Sequence, residues 1–123
     1  MSISHAQLLQ ILLALLTPNE RSHAIAYLTE QVVVAGTVIE TAREPVAAPW
    51  DAVLAFVDQD PSANWSHACR YILINPQTGE ARSVEGRFPM FSMANPGPWR
   101  LAYKAPALPD SLVLVPQSFD RER

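Results

Sequence analysis

Apolar residues crowd the start of the chain almost without a break. From Leu8 to Leu16 it reads LLQILLALL, and the polar or small positions Gln7, Gln10 and Ala14 recur at spacings of three and four. That period predicts a helix over residues 4–16 with a narrow polar stripe. A helix apolar over so wide an arc needs cover on more than one side. A second copy of the chain could supply that cover, and so could a sheet and a second helix wrapped around it. The tetrapeptide Thr17-Pro18-Asn19-Glu20 marks the next start. Thr17 suits an N-cap, Pro18 the first helical position, and Glu20 completes a capping box. A second helix is expected over 18–30, with Ala24, Ile25, Tyr27 and Leu28 as its apolar face. The two helices would form a hairpin with a short joint.

Beyond residue 30 the pattern changes. Val32-Val33-Val34 and Thr37-Val38-Ile39 are β-branched and favour a strand over 32–42, with Gly36 as a bulge or bend. The proline-bearing stretch Glu44–Pro49 reads as a connector. Ala52–Asp58 is apolar on both alternating faces: Val53, Ala55 and Val57 on one, Leu54 and Phe56 with Asp58 on the other. A strand of that kind is covered on both sides. Residues 69–75 form the next strand, with Cys69, Tyr71 and Leu73 opposed to Arg70, Ile72 and Ile74. The turn Asn75-Pro76-Gln77-Thr78-Gly79-Glu80 should close a hairpin onto residues 80–88, since Pro76 presets φ and Gly79 can adopt a left-handed conformation. The charges of that second arm suit an edge strand. Short extended runs at 99–103 and 112–115 are candidate strands, and 117–123 reads as a frayed tail. Helices first and strands later predict an α+β fold. The expected architecture is one domain, a helical hairpin packed on an antiparallel sheet of four to five strands.

Composition narrows the function more than the fold. The 123 residues carry a net charge of −3, and no basic stripe interleaves with aromatics, so no nucleic-acid partner is expected. Leu8–Leu16 is shorter than the roughly 20 residues needed to span a bilayer and lacks a basic leader, so no membrane partner is expected and the setting is read as cytoplasmic. Cys69 is the single cysteine, which excludes an intrachain disulfide.

The densest set of reactive side chains lies between the strands at 52–58 and 69–75. Asp58, His67 and Cys69 are the candidate catalytic residues, because a thiol nucleophile needs a base within hydrogen-bond reach. On one continuous strand, however, His67 and Cys69 stand about 6.5–7 Å apart between Cα atoms with side chains parallel. Cys69 also opens an apolar run, as a buried structural cysteine does. Asp58, Asp60, His67 and Cys69 are the candidate metal ligands, without any established ligand spacing, and no cofactor is expected. Asp58, Asp60 and Asn64 serve equally well as caps of their own loop. Asp51 and Asp58 bracket one strand, roughly 23 Å apart if extended, too far to act as a pair. Trp65, Arg70, Met90, Phe91, Met93 and Trp99 are of types suited to a binding surface. The leading expectation is a small non-enzymatic binding or assembly domain. It would self-associate through its first helix and meet a protein or peptide partner through the Trp65 loop. The alternative is a small hydrolase or transferase, with or without a metal, built around Asp58, Asp60, His67 and Cys69.

Overall fold

A computed structural model describes residues 3–39, 45–61, 69–86 and 99–113, with the side chains of residues 30, 31, 39, 86 and 99 not described. The first helix, α1, spans His5–Leu15. Ser4 caps it, accepting from Gln7 N while Gln7 Oε1 accepts from Ser4 N. Leu8, Leu12 and Leu16 are buried, and Leu9, Ile11 and Leu13 pack half-buried beside them. The wide apolar arc is therefore covered largely from within, with Leu15 left exposed.

The second helix, α2, begins as expected, with Thr17 as N-cap, Pro18 in the first turn and Glu20 closing the capping box. It ends far sooner. Pro18–His23 is a six-residue helix, and Ile25–Val33 is a strand, β1, where the helical spacing of Ala24, Ile25, Tyr27 and Leu28 suggested continued helix. The same residues satisfy a two-faced strand. Ala24, Ala26 and Leu28 pack with α1, while Ile25 and Tyr27 point into the opposite core. Burial on both faces decides between the two readings where local spacing does not.

The strand expected over 32–42 is likewise divided. β1 stops at Val33, Gly36 turns the chain at φ 89°, and β2 (Val38–Ile39) pairs antiparallel with β3 (Val46–Ala47) inside the supposed connector. Residues 40–42 of that expected strand lie outside the described residues.

The other strands agree more closely. β4 is Ala52–Asp58, β5 is Cys69–Ile74, β6 is Ala81–Gly86 and β7 is Trp99–Lys104. The main sheet is antiparallel in the order β6-β5-β4-β1-β7, so β6 is an edge and β4 is central. The β5–β6 turn closes with Asn75 N donating to Glu80 O and Asn75 Oδ1 accepting from Gln77 N, while Gly79 stands at φ 82°. Leu112 belongs to a single 3-10 turn, Asp110–Leu112, and not to the strand expected at 112–115, of which 114 and 115 fall outside the described residues, as do 87, 88 and the tail 117–123.

Two cores result. α1 covers the sheet face bearing Val53, Ala55, Val57, Ile72 and Ile74. On the other face Tyr27, Phe56 and Tyr71 stand opposite one another across three strands, with ring centroids 6.0 and 5.3 Å apart. The fold is α+β, an N-terminal helical pair with α1 packed on an antiparallel sheet. Among the described residues no helix is long and apolar enough to cross a membrane.

Candidate functional site

β4 and β5 bring two candidate catalytic residues together. Asp58 and Cys69 are direct cross-strand partners, so their Cβ atoms lie about 4.5–5.5 Å apart. Both are sealed, with 3% and 1% exposure. Asp58 Oδ1 accepts from Asp60 N at 3.2 Å, so this carboxylate caps the start of its own loop. Asp60 is exposed. No group of three or more histidine, cysteine or acidic side chains converges to hold a metal among the described residues. His67 and Trp65 lie outside the described residues, as do Met90, Phe91 and Met93. Trp99 opens β7 opposite Thr29.

Arg70, expected on a binding surface, faces inward. Its Nε donates to Glu20 Oε2 at 2.8 Å and its Nη2 to Glu20 Oε1 at 2.7 Å, a bidentate pair. Nη2 also reaches Leu15 O, and Nη1 reaches Ser83 Oγ. One side chain thus joins the end of α1, the first turn of α2 and the edge strand β6. Glu20 is 2% exposed and also accepts from Gln59 Nε2 at 2.7 Å and Thr17 N at 2.9 Å. Burial pushes the Glu20 carboxyl up. The hydrogen bonds from Arg70, Thr17 and Gln59, with the Arg70 charge, more than offset this and hold it below the usual glutamate range. The sequence carried one half of this feature, the capping box. It had no signal for a partner fifty residues away.

The accessible feature lies at the other end of β4. There the β1–β4 ladder shifts register between Leu28 and Val32. Thr29 repairs the gap: its hydroxyl donates to Leu54 O at 3.2 Å and accepts from Leu54 N at 3.3 Å. A cleft of about 370 Å³ opens beside this bulge, under the start of α1. Leu8, Val53, Thr29 and Pro76 form its buried floor. His5, Asp51, Gln77 and Val32 stand exposed at its rim. Ile3 closes one side, its backbone N–H donating to Pro76 O at 2.6 Å. Asp51 is oriented by the β1–β2 turn, since its Oδ1 accepts from Ala35 N at 2.9 Å. Four separate stretches of chain meet here, which is why no local pattern announced the cleft.

Compared with known proteins, the chain matches no family model, no curated protein and no solved structure.

Proposed function

We propose that this chain is a small binding and assembly domain that works without chemistry of its own, self-associating and engaging a protein or peptide partner. The observation that carries this reading is a contrast in exposure. Cys69 and Asp58 are sealed in the sheet, whereas Val32, Val34 and Val38 stand 49%, 65% and 56% exposed around the open end of β1, with Leu15 exposed on α1. Apolar side chains grouped at a surface mark interaction sites more often than isolated ones do. Self-association through α1 rests on Leu15 and the half-buried Leu9 and Leu13. The Trp65 loop stays the proposed partner surface on its residue types. The proposed setting is the cytoplasm, where a free thiol such as Cys69 persists reduced. The enzymatic alternative is weakened by the burial of its nucleophile, because a thiol must be reachable to react.

Sedimentation velocity over a wide concentration range tests the assembly. The expected result is a rise in mass with concentration that Leu15→Lys reduces. A chain that sediments as a monomer throughout, and binds no member of a peptide array, overturns the proposal.

A further inference from the structure

We propose that the cleft between the start of α1 and the bulged end of β1 receives an aliphatic chain tipped by a cation, the lysine or arginine side chain of a partner peptide. This deepens the reading of the chain as a binding domain and rests on it. The argument begins with shape. About 370 Å³ lies at the small end of the range of roughly 300–1,000 Å³ found for ligand sites. That suits one extended side chain better than a cofactor.

The lining then divides by depth. Leu8 and Val53 are 5% and 3% exposed and present hydrocarbon at the floor. Thr29 is also on the floor, but both roles of its hydroxyl are taken up by the Leu54 backbone, so it offers little to a polar ligand there. Polar capacity is therefore concentrated at the rim, in Asp51, Gln77 and His5. A ligand matching this gradient is apolar along its length and polar at its outer end, as lysine and arginine are.

Charge selects the sign of that end. Among the described residues lining the cleft, Asp51 is the one formally charged group, with histidine counted as neutral. Its Oδ1 is held by Ala35 N–H, while Oδ2 carries no hydrogen bond among the described residues. The carboxylate is thus oriented by the fold and keeps one oxygen for a donor. The N-terminus of α1 opposes this preference, since a helix start favours anions with roughly half a charge. The capping box of Ser4 and Gln7 already satisfies part of that end. A full carboxylate charge outweighs what is left.

The test uses the full chain and simple probes, followed by amide chemical shifts. n-Pentylammonium and n-butylguanidinium are compared with pentanol as the neutral control and pentanoate as the anionic one. A blocked lysine tripeptide and its norleucine counterpart distinguish a peptide side chain from a free amine. The expected result is saturable shifts at His5, Thr29, Val53 and Gln77 with the cations and the lysine peptide. Asp51→Asn, which keeps an oxygen for Ala35 N–H, should weaken the cations about threefold to fivefold, as for a partly solvated ion pair, and leave pentanol unchanged. Equal binding of pentanol, tighter binding of pentanoate, or shifts confined to other surfaces overturns the proposal, as does the absence of any shift. Binding of the free amines without the lysine peptide overturns the peptide source. Self-association is read separately by sedimentation, so a cleft indifferent to cations leaves the assembly reading standing.

Discussion

Replacing Arg70 with methionine should cost more stability than replacing its partner Glu20 with glutamine, although both changes break the same ion pair. In Arg70→Met the carboxylate of Glu20 stays in a site only 2% exposed and loses both guanidinium hydrogen bonds. Stranding one member of a buried pair costs about 3–5 kcal/mol. The Arg70 side chain keeps 15% exposure, so some water can enter once it is gone, and the lower end, about 3 kcal/mol, is expected. In a domain of this size that lowers Tm by roughly 10 °C. Glu20→Gln instead leaves the charge on the partner that reaches water, and the new amide oxygen can still accept from Thr17 N–H. Its cost should be about 1.5–2 kcal/mol, near that of a charge-assisted hydrogen bond. The double variant should cost less than the sum of the two, because no ion is left unpaired. Acid provides a second axis. The folded-state pKa of Glu20 is depressed, so its contribution is complete above the ordinary carboxylate value of about 4.3 and is lost as pH falls from there through the folded value. Urea unfolding followed by tryptophan fluorescence at several pH values measures both effects. The gap between wild type and Glu20→Gln should be widest near neutrality and close on acidification. A gap independent of pH, or a larger loss for Glu20→Gln than for Arg70→Met, would refute the argument.

Three further outcomes are expected. Thr29→Val removes the hydroxyl that stands in for a ladder partner at Leu54 and should cost about 1–3 kcal/mol in urea unfolding, while Thr29→Ser should recover most of it. Gly79→Ala should cost about 1–2 kcal/mol, since φ is 82°; its new Cβ would meet Ile3 and Ile11 at 3.4 and 3.5 Å, close to ordinary contact, so backbone conformation sets the loss. Cys69, 1% exposed, should resist a thiol reagent in the native state and react promptly in denaturant; rapid native labelling would reopen the case for a nucleophile.

What could be read from the sequence was local. The two faces of β4, the alternation of β5 and the Asn75–Glu80 turn all follow from neighbours within a few residues, and the fold carries them as expected. β1 was missed because Ala24–Leu28 satisfies a helical and an extended pattern at once, and burial on both faces removes the polar alternation that would separate them. Arg70 was read by its residue type as part of a binding surface. Its destination was not legible, since Glu20 reaches it only after the helical pair docks on the sheet. Asp51 carried no mark of its role: the sequence showed only a carboxylate too far from Asp58 to pair with it, and the contact that orients it comes from Ala35 in the β1–β2 turn. Pairings made by tertiary contact leave no mark on spacing.

The strand order has a consequence in time. β4, β5 and β6 follow one another in space as in sequence, and short-range pairing of this kind can form early. β1 is different. Its ladder with β7 joins residues 70 to 79 positions apart, so one edge of this apolar strand stays open until a much later stretch of chain arrives. During synthesis or refolding, that edge is the template on which another chain could pair. The interval before β7 docks is the period when this molecule is most exposed to misassembly, and a slow refolding phase would report the closing of that last ladder.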